Sequence, residues 1–299
     1  MKIDEIVDIK IDRITTSEVL EEIKIFLLSE KQHFIVTLNP EMIIEAQDNV
    51  QFKDVVNKAD LVISDGIGIL WALEFLKKNK LFSIKSRNII INMFFIKPLS
   101  LISVLCNFFY TFLNLLFNSN HRKNILKYRT HGIDLIYQIF ESTYSSNKRI
   151  YLLGAGEGVA KKVSINLRRQ YPNANIVGAE EGIKKNHVSE SLNCSLIQRI
   201  NEVKPDILLV AFGAPKQEIW INDNLKKMPS VKLAIGVGGS FDFISEKIKR
   251  APIIFQKKGL EWFWRLLLEP KRIKRIYNAV IRFSLLILNY KIKKNKQCI

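Results

Sequence analysis

The chain contains 299 residues, of which 47% are apolar and 25% are charged. This composition excludes a disordered tail protein, a collagen-like fibre and a small disulfide scaffold. The 46 Lys and Arg residues outnumber the 29 Asp and Glu residues and give a net charge of +17, so we expect a polyanionic partner: nucleic acid, an anionic lipid surface or a phosphorylated substrate.

The basic excess lies mainly near the C-terminus. From residue 247 onward the chain carries fifteen Lys or Arg residues and only two acids, Glu261 and Glu269. The three cysteines, Cys106, Cys194 and Cys298, are far apart and match no metal-ligand spacing, which predicts a reduced, cytosolic setting. Charges recur every few positions in the first 30 residues and leave no room for the apolar stretch of a signal peptide.

Five short apolar runs, each followed by a turn marked by glycine or proline, predict buried parallel strands. These runs are 34–38, 61–63, 150–153, 207–212 and 233–237. Amphipathic stretches of helical length, such as 159–170 and 196–203, lie between them. The alternation predicts an α/β fold, with a Rossmann-like, mostly parallel sheet flanked by helices, as a catalytic region over residues 1–245.

Ligands of such sheets bind beyond the carboxyl ends of the strands, where several polar residues of this chain fall. Asp65 stands beside a turn formed with Gly66 and Gly68. A carboxylate in that place is suited to general-base chemistry, although Asp-Gly is also an ordinary turn pair. Thr37 and Asn39 offer a hydroxyl and an amide that suit sugar hydroxyls, or they form a plain capped turn.

Glycine-rich turns follow three later strands. Gly154 begins the turn GAGEG, which opens a helix and favours phosphate, but Val159 replaces the third glycine of a dinucleotide fingerprint. Gly213 begins GAPKQE, in which Lys216 opposes the helix dipole unless an anion is bound. Asp242 follows a Gly-Gly turn and is a candidate acceptor for ribose hydroxyls, or a part of a simple strand-end turn.

No Asp-x-Asp sequence occurs in the chain, so the carboxylate pair with which many sugar-nucleotide enzymes hold a divalent metal is missing. We therefore expect no metal, and cations of the protein must balance the charge of a pyrophosphate. Arg129 and Arg250 are the nearest candidates, although an isolated arginine is commonly a solvated surface charge.

Residues 99–117 form an uncharged run about as long as a bilayer span. Neutral polar residues recur at helical spacing from Ser100 to Asn118, and basic residues flank both ends. This pattern favours a helix that lies at an interface over one that crosses a membrane. We predict a membrane-interacting insert at residues 80–127, with a buried core helix as the alternative.

The basic tail predicts a helical C-terminal membrane appendage over residues 246–299. Apolar residues recur there at helical spacing between Lys and Arg residues, which is typical of helices that bind anionic membrane surfaces. Nucleic acid is the rival partner, but the chain has no zinc-finger spacing, no aromatic RNA-binding signature and no helix-turn-helix pattern. We therefore expect an anionic membrane surface and no nucleic acid.

The ordered set of motifs resembles the WecG/TagA/CpsF glycosyltransferases, glycosyltransferase family 26. The resemblance covers most of residues 30–275 and rests on TLNPEM at 37–42, ADLVISDGIGILWA at 59–72, RTHGIDL at 129–135, IYLLGAGEGVA at 150–160, KPDILLVAFGAPKQEIWI at 204–221, GVGGSFDF at 236–243, RAP at 250–252 and GLEWFWRLLLEPKR at 259–272. The chain departs from the family in two places. Ile183 follows Gly182 where relatives carry an aromatic residue, and about 50 residues separate Leu76 from Arg129 where the family is short.

The resemblance implies an inverting transfer of a hexosyl residue, N-acetylmannosamine or a related sugar, from a UDP-sugar to a polyprenyl-diphosphate-linked sugar. This reaction would serve bacterial cell-surface polysaccharide or teichoic acid synthesis, without a cofactor or a metal, at the cytoplasmic face of the plasma membrane. The resemblance also implies that Asp65 is the general base and that Thr37 and Asn39 contact the substrate. It implies that Arg129 and Gln217 lie near the diphosphate and that Asp242 contacts the nucleotide. Finally, it implies that Arg250, Arg265 and Arg272 belong to the C-terminal appendage. The turns at Gly154 and Gly213 complete the candidate binding residues.

Two other functions stay open. The turn at Gly154 is compatible with an NAD(P)- or nucleotide-sugar-binding oxidoreductase or epimerase, and the basic helices with a non-catalytic membrane adaptor. The sequence also leaves open a homo-oligomer that packs through the insert. Because Asp65 and Gln217 flank the insert and would serve one site, we expect the insert to lie in or re-enter the inner leaflet rather than cross it once.

Overall fold

The computed structural model of the protein describes residues 2–78, 97–143, 147–182 and 190–297. Three parts of the sequence-based predictions lie outside these residues: positions 80–96 of the predicted insert, Ile183 and Cys298. The side chain of Ser100, the first residue of the predicted polar stripe, is likewise not described.

An antiparallel hairpin of β1 (Lys2–Ile6) and β2 (Ile9–Arg13) precedes a six-stranded sheet. The sheet contains β3 (His33–Leu38), β4 (Leu61–Ser64), β5 (Ile150–Gly154), β6 (Ile176–Glu180), β7 (Ile207–Ala211) and β8 (Leu233–Gly236). Its strand order is β4-β3-β8-β7-β5-β6, and every neighbouring pair is parallel. All six carboxyl ends therefore meet at one edge.

Helices connect and cover the strands. They are α1 (Thr16–Leu28), α2 (Pro40–Asp48), α3 (Val50–Lys58), α4 (Ile67–Lys77), α5 (Lys97–Phe117), α6 (Ser119–Leu126), α7 (Gly132–Thr143), α8 (Val159–Gln170), α9 (Glu190–Glu202), α10 (Lys216–Asn224), α11 (Ser240–Ile244), α12 (Ile253–Lys258), α13 (Glu261–Leu268), α14 (Ile273–Tyr277) and α15 (Phe283–Gln297). Local signals set their starts. Thr15 and Glu18 form a capping box at α1, and Asn39 caps α2 by accepting from the N–H of Met42 (3.1 Å).

Both faces of the sheet are buried, which explains the unbroken apolar runs in the sequence. In β3, for example, Phe34 and Val36 belong to the core on one face and Ile35 to the core on the other. The predicted α/β fold with a parallel sheet is confirmed, and the five predicted strands correspond to β3, β4, β5, β7 and β8. Strand β6 and the hairpin lie outside these five apolar runs.

Beyond β8 the described chain is helical. The short helices α12, α13 and α14 contain no fully buried residue, whereas α15 packs into the core through Phe283 and Ile287. The division of the chain at residues 245 and 246, and the membrane role of its C-terminal part, stay predictions.

None of the helices in the described ranges is by itself long and apolar enough to cross a bilayer. By length and composition alone, one bent pair, Leu101–Leu115 with Ser119–Leu126, passes that test, and its two helices meet at 88°.

Candidate active site

Five neighbouring strands end at residues that the sequence singled out. In the order of the sheet, these are Asp65 after β4, Asn39 after β3, Gly238 after β8, Gly213 after β7 and Gly154 at the end of β5. Since neighbouring strands lie about 4.8 Å apart, these residues span roughly 20 Å along the edge of the sheet. The strand ends form a ledge, and Asp65 lies at one end of it.

Asp65 is held between parts of the chain that are distant in sequence. Its backbone N–H donates to the carbonyl oxygen of Leu38 (2.8 Å), and its Oδ1 lies 3.0 Å from Nδ1 of His131. The other ring nitrogen of His131, Nε2, lies 2.6 Å from Oε2 of Glu261 in α13. One imidazole therefore joins a carboxylate at a strand end to a carboxylate of the C-terminal helices.

His131 is charged at neutral pH. Burial opposes the charge, but the two flanking carboxylates outweigh burial and raise the pKa of His131 to about 9. Burial also favours a neutral Glu261, yet the contact with His131 lowers the pKa of Glu261. The protonated ring donates from Nδ1 to Oδ1 of Asp65 and forms an ion pair with Glu261, so the cluster fixes the Oδ1 side of Asp65.

Arg129 and Arg250 flank the same cluster. Arg129 donates from Nη2 to the carbonyl oxygen of Gln256 (3.0 Å), and burial lowers its pKa in spite of nearby carboxylates. Arg250 pairs with Asp134 at 2.7 Å, and its Nε lies 3.7 Å from Oε1 of Glu261. The structure thus brings both predicted arginines to this end of the ledge, where Arg250 already has a carboxylate partner.

A second cluster forms where the C-terminal helices meet the turn after β8. Arg265 lies 3.6 Å from Asp242 and 2.9 Å from Glu269. A β-carbon at Gly239 would lie 2.8 Å from Nη1 of Arg265. The absence of a side chain at Gly239 is therefore what lets the guanidinium approach the turn.

Two more arginines extend this second cluster. Arg272 lies 3.4 Å from Glu269, and burial, together with the charges of Arg265 and Arg275, lowers the pKa of Arg272 to about 10. Arg275 makes a two-pronged pair with Glu41 of α2, with a shortest N–O distance of 2.7 Å. Guanidinium groups that repel one another in a partly buried place can accept a polyanion such as a diphosphate.

Thr37 and Gln217 make their observed bonds within the protein. The buried hydroxyl of Thr37 donates to the carbonyl oxygen of Gly236 (2.8 Å) and so joins β3 to β8. Oε1 of Gln217 accepts from the N–H groups of Gly213 and Gly238, each at 3.0 Å. These two side chains shape the floor of the ledge, and their contact with a substrate stays a prediction.

The glycine turn after β5 has structural reasons for its sequence. Gly154 has φ +114°, and a β-carbon there would lie 2.8 Å from the carbonyl carbon of Ala211 in β7. The N–H of Gly158, at the start of α8, donates to Oε1 of Glu181 (3.1 Å). The N–H of Gly158, which a dinucleotide phosphate would use, is thus already bonded to a carboxylate of the protein. For this reason the turn lends no support to the oxidoreductase alternative.

Several titratable residues of the site were not singled out from the sequence. His131 and Glu261 lie inside two of the motif blocks, RTHGIDL and GLEWFWRLLLEPKR, and that position was the available signal. Glu218 is completely buried, and burial raises its pKa to about 7. Its Oε1 accepts from Nε2 of Gln217 (2.6 Å), so it supports the residue that joins the two turns.

Comparison with known proteins gives consistent matches along the chain. A sequence model described as the Glycosyl transferase WecG/TagA/CpsF family matches residues 5–94 and 114–297. An N-acetylglucosaminyldiphosphoundecaprenol N-acetyl-beta-D-mannosaminyltransferase from Staphylococcus aureus (strain MRSA252) is 28% identical over 295 residues, which cover 98% of this chain and 93% of the relative. Proteins of the same name from strains NCTC 8325 / PS 47 and COL are 27% identical over the same shares.

Proposed function

The chain belongs to the WecG/TagA/CpsF family of glycosyltransferases, and we propose that it transfers N-acetylmannosamine from a UDP-sugar to N-acetylglucosaminyl-diphosphoundecaprenol. Its relatives are named for this sugar and this acceptor. The second cluster contains three arginines, of which Arg265 lies beside the turn after β8, and it supports a donor that carries a diphosphate.

The observation that carries the proposal is the placement of Asp65. A hydrogen-bonded backbone N–H and the ring of His131 hold the residue at the strand end, so one carboxylate oxygen has a fixed orientation and Oδ2 can receive a proton. In the reaction, a hydroxyl oxygen of the acceptor attacks the anomeric carbon of the donor as the bond to UDP breaks. The hydroxyl proton passes to Oδ2 of Asp65, and the arginines balance the charge of the departing diphosphate.

His131 and Glu261 act as positioning residues in this mechanism. Glu261 belongs to α13, so its contact with His131 forms only when the C-terminal helices are docked on the sheet. Docking of these helices thereby completes the support of the base and brings Arg265 and Arg272 to the donor side of the ledge.

Asp65→Asn tests the assignment of the base. We expect the rate of transfer to fall by about 10²- to 10⁴-fold, since a carboxamide cannot accept the proton, while the affinity for UDP in isothermal titration stays the same. Asp54→Asn, which removes an exposed acid of α3, is the matched control and should keep full activity. Full turnover of Asp65→Asn with a lipid-linked acceptor would contradict the mechanism.

We also propose that the enzyme works at the cytoplasmic face of the bacterial plasma membrane. Ile253 and Ile254 of α12 are exposed and apolar, and Lys257 and Lys258 end the same helix; this combination suits an anionic lipid surface. Sedimentation with anionic vesicles should show weaker binding for the Ile253→Ser, Ile254→Ser double variant than for the parent protein. Equal binding would remove α12 from the membrane contact.

A further inference from the structure

Helix α5 turns a stripe of neutral polar residues towards the protein and most of its apolar residues outward. Its polar residues Ser103, Asn107 and Thr111 are only 0%, 5% and 1% exposed. Val104 and Leu115 are buried as well, but eight large apolar residues of the helix are 36–80% exposed: Leu101, Ile102, Leu105, Phe109, Tyr110, Phe112, Leu113 and Phe117. A soluble helix turns its apolar stripe to the core, so this face is built for a surface other than water.

Packing holds the helix in this orientation. The ring of Phe108 meets that of Trp71 edge to face, with centroids 5.2 Å apart, and lies 5.6 Å from that of Phe75; both partners belong to α4. The hydroxyl of Thr111 donates to the backbone carbonyl oxygen of Asn107 (2.9 Å), which satisfies it inside the fold. A rotation that hid the apolar face would break these contacts.

The charged residues on either side of the helix along the sequence are of one sign. Between Glu74 and Asp134 the sequence contains ten Lys or Arg residues and no acid. The ammonium of Lys78 lies 3.8 Å from the ring centroid of Tyr110, at the border of the apolar face, and Lys123 is exposed in α6. An anionic lipid surface matches both the apolar face and the cations, whereas a symmetric contact between two copies would bring like charges together.

The path of the chain also limits how α5 can meet a membrane. After the insert, the N–H of Thr130 donates to the carbonyl oxygen of Ser64 (2.9 Å), so the chain returns to the strand end it left and both flanks lie on one side. The 88° bend to α6 directs the chain back to the protein, where Ile125 is buried. This path is incompatible with a single crossing of a membrane by α5.

We propose that α5 is a lipid-binding element that lies in the interfacial layer of an anionic bilayer, with Ile102, Phe109 and Leu113 directed into it. It is distinct in sequence from the C-terminal helices, although α15 packs against it, and most of it, residues 97–113, lies outside the part of the chain that matches the family. The proposal concerns where the protein rests, so it does not depend on the identity of the donor or of the base.

The exposed Cys106 lies on this helix and gives a direct test. In the full chain with Cys194→Ser and Cys298→Ser, an environment-sensitive fluorescent dye is attached to Cys106. Its emission should shift to the blue when the protein binds vesicles with about 30 mol% phosphatidylglycerol. Lipids brominated near the headgroup should quench this emission. The matched control carries the dye on Cys194, exposed in α9, with Cys106→Ser and Cys298→Ser, and should show neither change.

Substitution of the apolar face supplies a second readout. Phe109→Ser with Leu113→Ser should weaken vesicle partitioning by roughly tenfold or more, because it removes two of the three side chains that we place in the lipid. Ile25→Ser with Leu28→Ser removes equally exposed apolar residues of α1 and should leave partitioning unchanged.

Two results would overturn the proposal. One is a dye on Cys106 that stays in water while the protein sediments with vesicles, which would assign binding to the C-terminal helices alone. The other is a blue shift that follows protein concentration without lipid, which would make a second copy the occupant. Neither readout uses a sugar nucleotide, so failure here is distinct from failure of the transferase mechanism.

Discussion

Replacing Glu261 by Gln removes one of the two carboxylates that hold the proton on His131. The pKa of His131 is about 9 in the intact cluster, against an ordinary value of 6.5. A carboxylate in direct contact accounts for roughly 1–2 pH units of such a rise, so we expect the pKa of His131 to fall by that amount in Glu261→Gln. At pH 8.5 the ring would then be mostly protonated in the parent enzyme and mostly neutral in the variant.

Loss of this proton weakens the hold on Oδ1 of Asp65, so activity should follow the titration. We expect the alkaline limb of the pH profile of kcat/KM to move towards neutral pH in Glu261→Gln. Nuclear magnetic resonance titration of the histidine ring protons, assigned with His131→Gln, measures the pKa directly. Glu269→Gln is the control, because Glu269 also belongs to the C-terminal helices but pairs with Arg265 and Arg272.

Protein stability should report the same contact. A pKa raised from 6.5 to about 9 corresponds to about 3 kcal/mol of stabilisation, which is fully present below pH 6.5 and is lost as the pH rises through 9. Urea unfolding should show a smaller loss between pH 7 and pH 9.5 in Glu261→Gln than in the parent protein. The reasoning is refuted if the pKa of His131 stays near 9 in Glu261→Gln, or if Glu269→Gln lowers it equally.

Three further predictions concern single side chains. Arg272→Ala should weaken UDP binding by roughly 10- to 100-fold in isothermal titration, whereas Lys274→Ala, an exposed neighbour, should not. Burial raises the pKa of Glu218 from 4.5 to about 7, so at pH 8 the folded protein holds an ionised carboxylate in a place that disfavours the charge. Glu218→Gln removes this cost and should raise the free energy of unfolding at pH 8 by up to about 3 kcal/mol. At pH 4.5 the substitution should not raise it, because the buried carboxyl is then neutral. Thr37→Val should lower the unfolding free energy by about 1–2 kcal/mol with KM unchanged; a raised KM for the acceptor would instead make Thr37 a substrate contact.

The fold was predictable where burial on both faces left a plain signal. Strands β3, β4, β5, β7 and β8 are apolar without interruption and end at glycine or proline turns, so each could be located from the sequence. Strand β6 lacks such an apolar run because it is an edge strand and four of its five residues are only partly buried. The hairpin was missed because its charged residues alternate with its buried ones and conceal the pattern.

The candidate site was predictable only at the level of motifs. The position of Asp65 at a strand end follows from local sequence, but its contact with His131 spans 66 positions, and no local pattern encodes such a pairing. No local pattern encodes the contact between Glu261 and His131 either, because it forms only when the C-terminal helices pack on the sheet. For α5, the sequence indicated a polar stripe, but only the packing against α4 shows that this stripe faces the protein.

The insert leaves and rejoins the enzyme at neighbouring points. Leu73 and Lys77 at the end of α4 line the same small cavity as Ile125 and Tyr128, so the two ends of the insert lie close together. A segment attached in this way can be lengthened, shortened or exchanged in evolution while the catalytic ledge keeps its geometry. The membrane attachment of such an enzyme can therefore differ between lineages while its catalytic residues and its reaction stay the same.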